Sequence, residues 1–594
     1  MSLFPYSYRE GQKEAIDEIT KVAGKHPIIF QAPTGFGKTP VVLSSLLLKG
    51  FKILWAVRTG TETDRPVEEL KKINKVFGTE FLGISFRGKK DMCLLALEKM
   101  SDANYDEVSY FCSKNKKRCP YYINLQNERF TDVKTMLYSE VLRQSAERRI
   151  CPYFYQRELA SLANLVSVSY NYVLNEKVSW SLRSAFDYGD SYLVVDEAHN
   201  LQFSFMNINS DHITTGSIKR ALSELSFFKK TEQVKNFLVK LEEKMWEELG
   251  KKKEKEVKIE DFCSSKNSDV LDEIKLLGET LRSERLSKGE RPKSSLYHIY
   301  SFFKISLELS KERGVTHFLS KEKNELKLER VDMRASEALK EKWKMFRGVL
   351  FMSGTLEPIE AFSEVIGIHN PYIINRKFKV SSENVSSIII KGVTTKGERL
   401  SEEMLKRYMR VILSFLRKNS GRNVAVFSSS YRIQEALLSA LPEDFRKRSY
   451  LEVEGMSGQQ SREVLNSFKL AAKSNQKGIL FASASGRFSE GADFPGEELE
   501  AAMVIGIPFE KLNIKIKALI RYYNEIYGRK KGRYYAYTVP ALRKVSQALG
   551  RVIRSENDKG YFVLADERFL YKKYFDLLPE FIKRNCSIID YESL

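Results

Sequence analysis

Short apolar runs alternate with helical stretches through most of this chain. Pro27-Ile28-Ile29-Phe30-Gln31-Ala32 is an apolar run that breaks at a glycine-bearing loop, and Val41 to Leu48 resumes as an apolar helix. Phe51 to Val57 reads as the next strand, and Tyr192-Leu193-Val194-Val195 as another that delivers Asp196 at its carboxyl end. An α/β protein with parallel sheets is predicted, with ligands at the carboxyl edge of the strands. Val349 to Leu356 returns to the buried-strand pattern and should close the first sheet; a second α/β unit then begins, with strands at Val424–Phe427, Gly478–Ala482 and Ala502–Ile507.

Two stretches break this rhythm. Residues 85–164 have no strand period and read as a small inserted domain, while 205–340, rich in Lys, Glu and Leu at helical spacing, reads as a mainly helical second insertion. Its mixed run around Lys251–Glu256 is a solvated face or loop. The expected layout is 1–84, 165–204 and 341–365 for the first α/β unit, interrupted by the two insertions, and 366–594 for the second. No internal repeat of 20 to 50 residues is evident.

Length agrees, since 594 residues exceed what one hydrophobic core supports. The formal charge of +21 favours a polyanionic partner and says nothing about fold. No apolar run reaches the roughly 18 residues that would span a bilayer, and the N-terminus lacks a signal peptide's pattern, so no membrane partner and a cytoplasmic location are expected.

Six cysteines do not make a secreted disulfide framework. Cys93, Cys112, Cys119 and Cys151 gather in the first insertion, with 18, 6 and 31 residues between them and none of the tight C-x-x-C knuckles of zinc ribbons. Pro120 and Pro152 follow two of them, as proline often follows iron–sulfur ligands. Spacing alone leaves a cluster, zinc and unligated thiols open.

Three motifs carry the chemistry. Ala32-Pro33-Thr34-Gly35-Phe36-Gly37-Lys38-Thr39 matches a phosphate loop except that Ala32 stands where a glycine is usual. Thr34, Gly35 and Gly37 would turn backbone N–H groups to the phosphates, Lys38 would supply the cation and Thr39 a hydroxyl for Mg²⁺. The alternative is a chance glycine-rich turn. Asp196-Glu197-Ala198-His199 follows a buried strand; Asp196 would hold Mg²⁺ and Glu197 orient water, against the alternative of a surface turn. In Gln547-Ala548-Leu549-Gly550-Arg551-Val552-Ile553-Arg554 the two arginines lie three apart on what reads as one helix face, and would stabilise charge on the transferring phosphoryl group beside Gln547.

Between Arg521 and Lys544, seven basic residues, among them Lys530 and Arg533, interleave with six tyrosines. A groove for phosphates and stacked bases, or an ordinary helix with tyrosines packed inward, would each give that pattern.

Together with Arg9-x-x-Gln12, Val57-Arg58-Thr59, Ser353-Gly354-Thr355-Leu356 and Gly486-Arg487-Phe488-Ser489-Glu490-Gly491-Ala492-Asp493-Phe494, these motifs make the chain resemble superfamily-two helicases. The four cysteines and Ser169-Tyr170-Asn171-Tyr172 narrow the resemblance to the XPD helicases of the short archaeal type. It runs from residue 9 to residue 554.

The resemblance implies two RecA-like motor domains, with an iron–sulfur domain and an arch domain inserted into the first. It implies an ATP-driven motor that moves 5′ to 3′ on single-stranded DNA and unwinds duplex DNA; single-stranded and forked DNA and repair proteins are the expected partners, and a monomer is expected. Gln12, beside Arg9, would read adenine; Ser353 and Thr355 would couple hydrolysis to DNA; Glu490, Gly491 and Asp493 would line the far wall of the nucleotide cleft. The four cysteines would bind a [4Fe–4S] cluster, although only six residues between Cys112 and Cys119 is a departure. Arg58, Lys89, Lys90, Tyr170 and Tyr172 would flank the DNA, with Arg521, Lys530 and Arg533 as further contacts. A DinG-type helicase, a translocase without strand separation, a scaffold with a degenerate ATP site and a redox sensor are the alternatives. Intact Lys38, Thr39, Asp196, Glu197 and Arg551 argue against degeneracy.

Overall fold

The computed structural model describes residues 2–100, 102–128, 133–377, 380–381, 383–397, 399–492, 494–554 and 557–594, apart from the side chain of Glu490. Along the chain the strands are β1 (Ile28–Gln31), β2 (Lys52–Val57), β3 (Gly83–Ser85), β4 (Leu165–Ser169) and β5 (Ser191–Val195). The second insertion adds β6 (Asp211–Thr214), β7 (Glu254–Val257), β8 (Val315–Glu322) and β9 (Glu325–Asp332), before β10 (Gly348–Ser353) and β11 (Tyr372–Asn375) return to the first sheet. Its order is β11-β1-β10-β5-β2-β4-β3, with β10, β5, β2, β4 and β3 paired in parallel.

Two expectations are corrected here. The strand from residue 348 does not close the sheet; it lies in the middle, between β1 and β5. Its Leu350 and Phe351 are fully buried, as a central parallel strand covered on both faces requires. The edge is β11, with Tyr372 and Ile373 exposed. Because Tyr372 N–H donates to Pro27 O and Arg376 N–H to Gln31 O, both at 2.8 Å, the first sheet extends to residue 375 rather than ending at 365.

The first insertion is built of helices, among them Tyr105–Asn115, Pro120–Gln126 and Pro152–Leu162. The second combines helices such as Glu232–Leu249, Ser268–Ser287 and Ser295–Glu308 with an antiparallel sheet in the order β6-β9-β8-β7. That sheet was not expected. Its signal was present in β9, where Leu326, Leu328 and Arg330 alternate inward between charged neighbours, the period of a half-buried strand. The two insertions touch where Arg291 pairs with the buried Glu107 at 2.8 Å and the Arg282 guanidinium lies 4.0 Å from the Tyr110 ring centre.

The C-terminal sheet comprises β12 (Val385–Lys391), β13 (Val424–Ser428), β14 (Ser449–Leu451), β15 (Ile479–Ser483), β16 (Ala501–Ile505), β17 (Gly560–Ala565) and β18 (Cys586–Asp590). It runs β14-β15-β13-β16-β17-β12-β18, parallel throughout. Successive residues feed opposite cores: Ala425, Phe427, Ala502 and Val504 on one face, Val424, Val426, Met503 and Ile505 on the other. Helix Glu402–Lys418 covers the second face with Tyr408, Val411, Ile412 and Phe415. It starts at Ser401, whose side chain accepts Met404 N–H, and carries Glu402 and Glu403 in its first turn and Arg417 and Lys418 in its last. The first face is covered by helix Val539–Leu549 through Ala541, Leu542, Val545, Ala548 and Leu549.

The described residues form two compact units. One contains 1–29, 39–352 and 363–374; the other contains 30–38, 353–362 and 375–594. The loop after β1 and the residues after β10 thus belong to the C-terminal unit.

Candidate nucleotide and nucleic-acid sites

In the second unit, residues 32–37 form a tight loop in which Gly35 and Gly37 have φ of 88° and 82°. The Lys38 ammonium donates to the carbonyls of Ala32 at 2.9 Å and Pro33 at 3.2 Å. Thr34 is exposed, while Phe36 is buried and anchors the loop. A Cβ on Gly35 would fall on the carbonyl oxygen of Arg554, so the loop lies directly against the backbone that carries the arginines. Gln547 Nε2 donates to Thr355 Oγ1 at 3.2 Å, and Ser353 is fully buried.

Arg551 and Arg554 do not share a helix face, which corrects the sequence reading. The helix ends at Leu549, and Gly550, a weak helix former, starts a turn in which Arg551 N–H reaches Ala548 O at 3.3 Å. Asp558 then takes the Arg554 N–H at 2.7 Å. The side chains still converge: Arg551 donates to Ser489 O at 2.7 Å and Ala492 O at 2.9 Å, and Arg554 donates to Ala492 O at 3.3 Å. Gly491 ends the short helix Arg487–Gly491. Asp493 lies outside the described residues.

In the first unit, Asp196 leaves β5 with its N–H on Ala56 O at 2.9 Å and its Oδ1 accepting the Glu197 N–H at 2.9 Å. Glu197 adopts a left-handed φ of 48°, an uncommon state for a residue with a Cβ, and pairs with His199 at 3.3 Å. Thr39 is buried at the start of helix Lys38–Leu48. Gln12 is 3% exposed, and its carboxamide oxygen accepts the Arg9 N–H at 2.7 Å.

Tyr170 and Tyr172 are 2% and 3% exposed, so they present no ring for a base to stack on. Tyr170 instead donates its hydroxyl to the carbonyl of Asp196. Burial pushes its pKa well up, and the nearby charges of Asp196, Glu197 and Glu62 add to that. It supports the acidic loop. Arg58 stays exposed at the end of β2.

The cysteines occupy one neighbourhood. Cys93, Cys119 and Cys151 each precede a helix N-terminus, the latter two followed by proline in the first turn, and Cys112 lies on helix Tyr105–Asn115. Burial, with the charges of Cys112 and Cys119, pushes the Cys93 thiol up to about 11. Burial, with the charges of the other three, pushes Cys151 up to about 12. Among the described residues no three His, Cys, Asp or Glu side chains close on a single point as an ion-binding group. Lys89 lies near enough to lower the Cys112 pKa, against the larger effect of burial, and its ammonium sits 5.3 Å from the Tyr153 ring centre.

At the carboxyl edge of the C-terminal sheet opens a cleft of about 1640 Å³. Its described lining includes nine lysines and arginines against three glutamates, among them Lys396, Arg399, Arg432, Lys530, Arg533 and Lys573. Tyr431, Tyr534 and Tyr537 also face it. The interleaved segment therefore divides between its two readings. Arg529, Lys530, Arg533, Tyr534 and Tyr537 line the cleft, whereas Tyr522, Tyr523 and Tyr535 are packed inward. Arg521 is exposed outside the lining. Burial pushes the Arg543 guanidinium down to about 10. Sequence reasoning missed Lys396, Arg399, Tyr431 and Arg432. Their signal was position, since each follows the carboxyl end of a parallel strand.

Two family models match this chain, the DEAD_2 family over residues 55–218 and the helicase C-terminal domain family over residues 412–585. A relative from Saccharomyces cerevisiae, the general transcription and DNA repair factor IIH helicase subunit XPD/RAD3, is 24% identical over 98% of this chain and 88% of its own length. The ATP-dependent DNA helicase XPD of Sulfolobus acidocaldarius is 24% identical over 94% of this chain and 96% of its own. A solved XPD helicase structure shares the fold with a TM-score of 0.72 and 22% identity, over 98% of this chain and 100% of that one. No helix among the described residues is long and apolar enough to cross a membrane.

Proposed function

The chain belongs to the XPD-type superfamily-two helicases, and we infer that it is an ATP-dependent DNA helicase that moves 5′ to 3′ on single-stranded DNA and opens the duplex ahead. The observation that carries this reading is the seating of Arg551 and Arg554 on the Ser489 and Ala492 carbonyls, with the glycine loop pressed against the Arg554 backbone.

In this reading the N–H groups of Gly35 to Thr39 and the Lys38 ammonium bind the β and γ phosphates, while Thr39 and Asp196 hold Mg²⁺. Glu197 orients water and the two arginines stabilise the charge of phosphoryl transfer. Gln12 and Arg9 meet the adenine end, and Gln547, bonded to Thr355, links the arginine turn to the segment after β10. Gly491 completes the wall, with Asp493 kept from the sequence as a further candidate for it. The basic cleft takes single-stranded DNA, its cations on phosphates and its tyrosines against bases, with Arg58, Lys89 and Arg521 as outlying contacts.

Cys93, Cys112, Cys119 and Cys151 would hold a [4Fe–4S] cluster, which when bound supplies a rigid cross-link. The segment they sit in has a small apolar core of Ala96, Met100, Ala103, Val108 and Phe111, so such a cross-link has a structural task. DNA repair alongside repair proteins is the setting that the relative's name suggests, and we infer that the chain acts on forked DNA as a monomer.

Duplexes with a single 5′ or 3′ tail test the reading. Unwinding that needs the 5′ tail is expected. Unwinding from the 3′ tail reverses the polarity, and DNA-stimulated ATP hydrolysis with neither tail unwound leaves a translocase.

A further inference from the structure

Glu452 follows β14 and is 2% exposed, yet among the described residues no lysine or arginine side chain pairs with it. Backbone groups and a phenol surround it instead. Its carboxylate accepts the N–H of Ser483 at 3.1 Å on one oxygen and those of Arg487 at 2.6 Å and Phe488 at 3.3 Å on the other. The Tyr431 phenol stands beside the carboxylate, and its pKa is pushed up to about 12, first by burial and next by the Glu452 charge. The carboxylate approaches Gly486 so closely that a Cβ there would overlap both oxygens. Its backbone is held as well, with Glu452 N–H on Phe481 O at 2.9 Å and the Gln434 carboxamide on Glu452 O at 2.8 Å.

A buried carboxylate is costly unless each donor is well aimed, and an apolar side chain would pack the same space at less cost. What an apolar side chain could not do is join two functional surfaces of the same unit. On one side, Tyr431 opens helix Tyr431–Ala440 and lines the basic cleft. On the other, Arg487 and Phe488 begin the segment whose Ser489 and Ala492 carbonyls hold Arg551 and Arg554. Tyr431 and the cleft-lining Ser483 stand beside Glu452, whose carboxylate holds the Ser483, Arg487 and Phe488 N–H groups, and the 487–492 segment carries the carbonyls that hold the two arginines.

We propose that Glu452 is a positioning residue that couples occupation of the basic cleft to the placement of Arg551 and Arg554. A strand in the cleft that moves Tyr431 moves the carboxylate, and the carboxylate moves the segment whose carbonyls orient the arginines. The inference rests on reading the chain as a nucleic-acid-stimulated ATP hydrolase.

The test is ATP hydrolysis by the full chain, with and without a single-stranded oligothymidylate, in Glu452→Gln and Tyr431→Phe. In Glu452→Gln one acceptor oxygen becomes a donor, so at least one aligned backbone N–H meets an amide nitrogen. The DNA-stimulated kcat is expected to fall about tenfold, the size of one charge-assisted hydrogen bond. The KM for ATP should stay within about twofold, with the unstimulated rate and the melting curve near wild type. Tyr431→Phe keeps the ring in the cleft and should lower stimulation in the same direction. Full stimulation in Glu452→Gln, or an equal fall of stimulated and unstimulated rates in a normally melting protein, overturns the proposal. If Glu452→Gln does not fold, full stimulation in Tyr431→Phe overturns it alone. Wild-type protein whose ATP hydrolysis ignores DNA would overturn the underlying reading, and this inference with it.

Discussion

Replacing Gly35 with alanine adds one methyl group and tests the packing of the phosphate loop against the arginine turn. At φ 88° the added Cβ enters the left-handed region, which costs an L-residue about 1–2 kcal/mol. It also meets the Arg554 carbonyl oxygen well inside 3.0 Å, a distance that real Cβ atoms essentially never show. That oxygen is backbone and cannot rotate away, so either the loop or the arginine turn must shift. Displacement by about an ångström at a phosphoryl-transfer site costs roughly a hundredfold, and strain alone at about 1.4 kcal/mol per decade would account for about tenfold. Steady-state ATP hydrolysis with saturating single-stranded DNA should therefore lose about a hundredfold in kcat/KM. Gly50→Ala is the control. Its φ of 71° carries the same backbone strain, but nothing lies within 4 Å of the new methyl group, so stability should drop by about 1 kcal/mol with hydrolysis unchanged. A Gly35→Ala protein within about threefold of wild type would refute the close packing and the need for a left-handed residue in the loop.

Tyr170→Phe removes the hydroxyl that meets the Asp196 carbonyl, and should lower stability by about 1 kcal/mol while leaving single-stranded DNA affinity unchanged; a large loss of affinity with normal melting would return Tyr170 to the DNA path. Binding to single-stranded DNA should weaken steeply with salt, and Lys530→Ala should flatten the log–log slope by about 0.7, as one lost phosphate contact does; an unchanged slope would take Lys530 out of the path. Purified protein should be yellow-brown with about four irons per chain, and Cys112→Ser should lose the colour while keeping part of its ATP hydrolysis. Stoichiometric zinc in a colourless wild type would overturn the cluster.

Legibility varied with the range of the interaction that decides each feature. The apolar runs at Ile53, Leu193, Val424, Leu480 and Met503 all became parallel strands, because a strand buried on both faces must be apolar almost throughout. The hairpin at 315–332 was hidden by its charges, since Lys321, Glu322, Glu325 and Lys327 dilute an alternation that only the packed side reveals. The arginine turn misled for a local reason. Spacing three apart suits a helix face, but Gly550 and the Asp558 carboxylate end the helix first.

By itself the sequence determined the alternation that makes two parallel sheets, the two interruptions, and the identity of the loop, acidic and arginine motifs, because those depend on residue type and near neighbours. The tertiary structure alone decided which strands adjoin, so that the strand from residue 348 lies between strands more than a hundred residues away. It decided that tyrosines alike in sequence divide between a cleft and a core, Tyr537 to the one and Tyr535 to the other. It also decided that Glu452, unremarked in any motif, stands between the cleft and the arginines. Strand order, burial and convergence arise when distant segments compete for the same apolar surface and the same hydrogen-bond partners. No local pattern of residues records the outcome of that competition.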